Sequence, residues 1–257
     1  MLNLGERGRM KIREFEEVRI PVVEIFNSIS GEGISAGEVV TFLRVAECNL
    51  RCSYCDTTYS YQLSDDNYDW LTPQEILERL SQYNCNKVIC TGGEPLETAK
   101  AKRYLPLYLV KKGYKVRIES NGSCPVYSKK ELRKFEIEQV NDRLNYTLDI
   151  KPPSSKMSNH NIFAENFIKL TLGDELKFVV ANDEDLNYAK KVIDKYKDIL
   201  AKSNLIINFS PVFQAIEAES LVEFLKENNP YFINNNLKVR LSLQLHKFIW
   251  DPEAKGV

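Results

Sequence analysis

Neither sign of charge predominates in this sequence: 35 Lys and Arg stand against 36 Asp and Glu, a formal net charge of -1 with a pI near 6.2. Without an excess of cations there is no global field to hold a polyanion by counterion release, which excludes nucleic acid and a charged membrane surface as general partners. A run of about 18 apolar residues is also lacking. The densest stretch, 104–110, is short and holds Pro106, so the chain is not expected to span a membrane. Residues 1–17 are charged and lack the apolar stretch of a secretory signal; the expected location is the cytoplasm, where thiols stay reduced. Internal repeats, low-complexity tracts and obvious linkers are missing too. What remains, 257 residues that are 43% hydrophobic and 28% charged, can bury a sizeable core. One domain over 18–250 is expected, with terminal extensions at 1–17 and 251–257.

Alternating or apolar runs predict strands at 18–26, 39–45, 87–90, 115–119, 144–150, 175–180, 204–209 and 238–246. Helical patterns lie between several of them. The clearest opens at Thr72-Pro73-Gln74-Glu75, a capping box with proline at the first helical position. Others cover 183–200 and 217–228. Strand then helix, repeated, predicts a parallel α/β sheet. Strands covered on both faces should read as continuous apolar runs, yet several here carry one polar face. Arg117 and Glu119 alternate with Val116 and Ile118; Asn145, Thr147 and Asp149 alternate with Tyr146, Leu148 and Ile150; Ser242, Gln244 and His246 alternate with Leu241, Leu243 and Leu245. An open antiparallel sheet with one wet face would do this. A closed or partly closed (β/α) barrel with a polar lumen fits better. The unusual residues follow strand carboxyl ends, where active sites of parallel α/β folds lie.

Six cysteines are the irregular feature of the composition, and three of them, Cys48, Cys52 and Cys55, form a Cys-x3-Cys-x2-Cys loop. Three thiolates on a tight loop can wrap one face of a cubane 4Fe-4S cluster and leave its fourth iron open to a substrate or cosubstrate. A structural zinc completed by a further Cys or His is the alternative, although the second Cys-x-x-Cys knuckle of a zinc ribbon is lacking. Cys85, Cys90 and Cys124 read as core or loop thiols.

The cysteine loop, with Tyr54 before its last cysteine, and the Gly92-Gly93-Glu94-Pro95 segment together resemble the radical S-adenosylmethionine superfamily. The resemblance implies a modified partial barrel of that type. It also implies that Cys48, Cys52 and Cys55 bind the 4Fe-4S cluster and that the open iron takes S-adenosylmethionine. Tyr54 and Asp56 would then lie beside this cosubstrate, as would Gly92 and Gly93, whose missing side chains permit close backbone approach.

A closer likeness runs through most of the chain. Residues 26–33 (FNSISGEG), Phe42-Leu43-Arg44, Cys55-Asp56-Thr57, residues 151–157 (KPPSSKM) and Gln244-Leu245-His246-Lys247 resemble the 7-carboxy-7-deazaguanine synthase family, which makes the deazapurine core of queuosine precursors. This resemblance implies a homodimer that converts 6-carboxy-5,6,7,8-tetrahydropterin to 7-carboxy-7-deazaguanine and ammonia, with Mg2+ beside the cluster and a flavodoxin or ferredoxin as reductant. By position, Thr57 would ligate Mg2+, a hard ion that prefers oxygen. Ile29, Ser30, Gly31 and Glu32 would line the pterin site, and Arg44 would pair with the substrate carboxylate through its planar fork. Thr91 and His246 would complete the substrate shell. Ser120, Asn121, Asp149, Ile150 and Lys151 would hold S-adenosylmethionine. The chain departs from the family pattern at Ser30, where glutamine is expected, at Glu47, where glycine is common, and at Asp149-Ile150, where Ser-Pro is common.

The cluster motifs also suit an enzyme that installs a glycyl radical on a partner protein, but the Gly-Glu-Gly and Gln-x-His-Lys elements do not. A zinc-binding interaction domain is the non-enzymatic alternative. The stretch 111–134, with eight Lys or Arg against two Glu, reads as a solvated face that could also dock an acidic flavodoxin.

Overall fold

The computed structural model describes residues 12–61, 63, 67–137 and 143–257; residues 1–11 of the expected N-terminal extension lie outside them. The described strands are β1 (Ile20–Ile29), β2 (Val39–Val45), β3 (Asp69–Leu71), β4 (Lys87–Gly92), β5 (Lys115–Ser120), β6 (Leu144–Ile150), β7 (Glu175–Val180), β8 (Ile206–Pro211) and β9 (Lys238–Leu241). They form a nine-stranded sheet in the order β3-β1-β2-β4-β5-β6-β7-β8-β9. From β2 to β9 every neighbouring pair is parallel. β1 joins β2 and β3 in antiparallel fashion, so two antiparallel strands extend one edge.

The helices are α1 (Ile12–Glu16), α2 (Pro73–Ser81), α3 (Leu105–Lys111), α4 (Lys129–Lys134), α5 (Phe163–Phe167), α6 (Asp183–Ser203), α7 (Ala218–Asn234) and α8 (His246–Ile249). α2 starts where its sequence dictates: Thr72 accepts from the Glu75 amide while Glu75 reaches back to the Thr72 amide. Its buried stripe is Ile76 and Leu80; that of α6 is Leu186, Ala189, Ile193 and Leu200. These meet the apolar sheet face, which includes Val88, Ile118, Leu148, Leu176, Phe178 and Phe209, in one continuous core. Phe15 of α1, within the expected extension, is fully buried against Tyr108 and Phe135. α7 passes the expected end at 228 and carries Pro230 inside it, with buried Phe232 fastening its last turn to the core.

The polar faces converge as expected. Glu175, with no exposure, gathers an ion pair from Arg117 at 2.7 Å, the Asn208 amide at 2.6 Å and the Ile34 backbone amide at 2.9 Å. A carboxylate is tolerated there because its oxygens are satisfied by charged and neutral donors. The barrel is open, with β3 and β9 at its two edges. The loop after β1 spans the gap: Gly31 accepts from the Leu245 amide at 3.0 Å and the Gly33 amide donates to Ser242 Oγ at 3.1 Å.

This bridge corrects the expectation that a strand runs to 246. β9 stops at Leu241, and His246 opens α8 instead of alternating on a polar strand face. Beyond Ser242, whose amide still donates to Phe209 O of β8 at 2.8 Å, the residues have no further strand to pair with. Their amides find the loop at 30–33 or the next helical turn, where Lys247 N donates to Gln244 O at 3.0 Å. The basic stretch is solvent-exposed at Lys111, Lys112, Lys115, Lys129, Lys130 and Arg133, with an exception on β5. Arg117 points into the lumen, and Lys111 and Lys112 are paired with Glu136 and Glu16.

Candidate active site

At the carboxyl end of β2 the chain turns through Glu47, in a left-handed conformation (φ 68°), into the cysteine loop. Amides face the sulfurs there: Leu50 N lies 3.5 Å from Cys48 Sγ and Thr57 N lies 3.4 Å from Cys55 Sγ. The Asn121 side-chain amide is 3.6 Å from Cys48 Sγ. The three thiols are free and partly buried. Burial holds the Cys52 thiol above its ordinary value, Lys151 pulls it down, and Cys55 and Cys48 push it up, so the three sulfurs share one field. Among the described residues no group of three or more His, Cys, Asp or Glu side chains is arranged to hold a single metal ion. A cubane needs no such convergence, because each cysteine takes a separate iron. Soft, mutually close thiols with amide donors and a lysine counter-charge therefore fit the cluster better than one zinc ion.

Gly92 and Gly93 pack the strand-end loop against this segment. A Cβ on Gly93 would sit 1.8 Å from the Glu47 carbonyl oxygen, and one on Gly92, whose φ is +119°, 2.3 Å from that of Val45. The close approach that glycine permits is thus to the backbone of the cysteine loop. Buried Glu94 accepts from the amides of Leu96 at 2.8 Å and Asn121 at 2.7 Å; burial raises its carboxyl above the ordinary range. It fixes Asn121, which also donates to Asn49 at 3.0 Å. Ser120 is buried and accepts from the Gly122 amide.

Tyr54 reaches across to β7, where its hydroxyl donates to Val179 O at 3.2 Å. Beneath it an alternating row of charges descends the lumen. Lys151 pairs with Asp149 at 2.8 Å, Asp149 with Lys177 at 3.3 Å and Lys177 with Glu32 at 2.8 Å. Burial opposes the charge on Asp149, but Lys151 and Lys177 outweigh it and hold its carboxyl below the usual range. The Ile150 side chain faces the core, so only its backbone can serve a ligand.

Glu32, Thr91, Arg44 and His246 border the same lumen. Glu119, partly buried and accepting from Thr91 Oγ1 at 2.9 Å, is raised by loss of solvent despite Lys177 nearby. Arg44 lies opposite Glu24 in register and binds it through Nε at 2.6 Å; Tyr59 donates to the same carboxylate oxygen at 3.0 Å. Neither Arg44 Nη makes a hydrogen bond among the described residues, so the outer edge of the fork is free. Partial desolvation would raise the Asp56 carboxyl, but the Thr57 hydroxyl at 2.6 Å, Lys247 and Arg44 keep it below its ordinary value. Thr57 and Asp56 thereby present adjacent hard oxygens, which fit Mg2+. His246 is lowered, chiefly by burial, with Glu32 and Asp56 partly opposing. Gly31 gives it room: a Cβ there would lie 2.5 Å from Nδ1.

Ser30 does not join this group, since its Oγ turns inward to Ser35 Oγ at 2.9 Å and Glu32 O at 3.1 Å. Ile29 ends β1. Sequence reasoning did not single out Glu24, Tyr59 or Glu119 as site residues. Glu119 was signalled by the polar face of β5, and Glu24 by its cross-strand register with Arg44.

An open parallel barrel with three cysteines on the loop after its first parallel strand defines a radical S-adenosylmethionine protein, and the Radical SAM superfamily model matches residues 44–163. A 7-carboxy-7-deazaguanine synthase from Clostridium acetobutylicum is 37% identical over 236 residues, covering 92% of this chain and 98% of that protein. One from Chlorobaculum tepidum is 35% identical and covers 94% and 99%. The crystal structure of QueE from Escherichia coli superposes with a TM-score of 0.61 at 17% identity, over 88% of this chain and 94% of that one, a likeness of fold. The chain belongs to the 7-carboxy-7-deazaguanine synthase family.

Proposed function

We propose that this chain contracts the ring of 6-carboxy-5,6,7,8-tetrahydropterin to 7-carboxy-7-deazaguanine with loss of ammonia. The observation that carries this reading is the full-length 37% identity to a synthase of that name, on a chain whose lumen gathers Glu32, Arg44, Thr91 and His246 below the cysteine loop. Cys48, Cys52 and Cys55 would hold the 4Fe-4S cluster. Tyr54, Asp56, Gly92, Gly93, Ser120, Asn121, Asp149, the Ile150 backbone and Lys151 would surround S-adenosylmethionine, and Thr57 would bind Mg2+. When bound, the cluster and S-adenosylmethionine supply a carbon-centred radical for hydrogen abstraction, and Mg2+ polarises the substrate carboxylate.

The chain's own residues bind, orient and shield. Arg44, held by Glu24 at Nε, offers its Nη edge to the substrate carboxylate, where paired donors to a carboxylate are strongest. Glu32 takes the aminopyrimidine edge through its acceptor oxygens, with Lys177 at 2.8 Å fixing its position. His246, neutral at pH 7, adds one donor and one acceptor. Glu119, protonated more readily than an exposed carboxyl, can donate a hydrogen bond into the lumen or release a proton there. Enclosure by the loop at 30–38 and by α8 keeps water from a reactive intermediate. The protein works as a cytoplasmic homodimer with flavodoxin or ferredoxin as electron donor.

Ammonia release tests the reading. Anaerobic incubation with the pterin, S-adenosylmethionine, Mg2+ and a reductant is expected to yield one ammonia per pterin consumed, and none with Cys52→Ala. Pterin-independent formation of a glycyl radical on an added protein would favour the activating-enzyme reading and overturn this one.

A further inference from the structure

Two side chains outside the motif positions grip the cysteine loop from its solvent side. Arg51 Nη1 donates to Cys48 O at 2.6 Å and to Leu50 O at 2.7 Å, and its guanidinium stacks 4.7 Å over the Tyr61 ring. Tyr61 in turn donates from its hydroxyl to Cys52 O at 3.2 Å. The Tyr61 segment is itself bonded to the loop's entry, through Glu47 N to Ser60 O at 2.8 Å and Cys48 N to Tyr61 O at 3.4 Å. Three carbonyls of the ligand loop, at Cys48, Leu50 and Cys52, are thus held by one stacked pair. Turning carbonyls outward leaves the Leu50 and Thr57 amides facing the Cys48 and Cys55 sulfurs. Among the described residues Arg51 has no acidic partner, and the two oxygens it binds are neutral carbonyls.

We propose that Arg51 and Tyr61 form a clamp that positions the cluster ligands and raises the reduction potential of the cluster they hold. This rests on the cluster assignment to Cys48, Cys52 and Cys55. Reduction adds an electron to an anionic cluster, and a nearby cation or a hydrogen bond toward sulfur stabilises the reduced form more than the oxidised one. The Tyr61 hydroxyl, bonded to Cys52 O at 3.2 Å, holds the carbonyl of the middle ligand cysteine in place. Stacking on the phenol ring keeps the Arg51 charge from swinging into solvent.

The test is an anaerobic redox titration of the reconstituted protein without pterin or S-adenosylmethionine, read by electron paramagnetic resonance with iron content as the loading control. At the wild-type midpoint, Arg51→Gln and Tyr61→Phe are each expected to lower the reduced-to-oxidised ratio about tenfold, which is about 59 mV for one electron. Arg51→Lys, which keeps the charge without the planar fork, is expected to stay nearer to wild type. Ratios unchanged from wild type in fully loaded Arg51→Gln and Tyr61→Phe would overturn the proposal. If Tyr61→Phe takes up less iron, an unchanged ratio in Arg51→Gln alone overturns it. A wild-type protein that assembles no cluster would instead overturn the cluster assignment on which both readings stand.

Discussion

Arg44 shows how one side chain is prepared for a ligand. Its Nε is committed to Glu24, Tyr59 braces the same carboxylate, and the remaining fork faces the lumen. Arg44→Ala is expected to raise the pterin KM roughly 10- to 100-fold, the loss of a charge-assisted pair worth about 1.5 to 3 kcal/mol, with S-adenosylmethionine binding little changed; an unchanged KM removes the carboxylate role. His246 makes a pH prediction. Its imidazole is lowered below 6.5, so the neutral form that serves the pterin persists through 6.5, and protonation removes it only further down. kcat/KM for the pterin should therefore stay level from about pH 8 past 6.5 and fall below it; a break assigned to His246 at or above 6.5 would contradict this. The cysteines and glycines were legible because their spacing is local. Glu24 and Tyr59 were not, since their partner Arg44 is reached across a strand pair or a loop. Ser30 illustrates the converse: its place in a motif was plain, but the turn that points its hydroxyl inward was not.

Elements place these groups. The strands at 39–45, 144–150 and 175–180 were legible to the residue, because alternation against a buried core fixes both face and extent. The last strand was overextended because Leu243 and Leu245 keep the alternation after the ladder has ended; only the bond from Leu245 N to Gly31 O reveals that the chain turns there to bring His246 to the site. The short strand at 69–71 and the left-handed residues at turns carry too little pattern to be read. The turn entering β7 supplies a stability prediction. Asp174 accepts from Tyr146 N at 2.8 Å and Thr171 N at 2.7 Å, yet burial raises it from 3.8 to about 6. Between those values the folded state keeps a proton that the unfolded chain has lost, so its contribution is full below the lower value and is lost as pH rises through the upper one. In chemical denaturation, wild type should lose roughly 3 kcal/mol relative to Asp174→Asn between about pH 4 and pH 7. A constant difference would contradict the assignment.

For the whole molecule, a net charge of -1 conceals an interior built from charge. Lys151, Asp149, Lys177 and Glu32 alternate along the lumen, Arg117 and Glu175 cross its floor, and the loop at 30–38 closes the gap that an open sheet leaves. The sequence excluded a polyanion-binding surface and indicated a polar lumen; it could not show that the barrel stays open, because closure depends on which edges meet. Among the described residues no helix is long and apolar enough to cross a membrane. The central claim is that the cysteine loop and the lumen beneath it convert one heterocycle into another. Mass spectrometry of the product from anaerobic turnover of 6-carboxy-5,6,7,8-tetrahydropterin tests it most directly. The account predicts the mass of 7-carboxy-7-deazaguanine, formed in proportion to enzyme; recovery of unchanged pterin from protein with full iron content would contradict it.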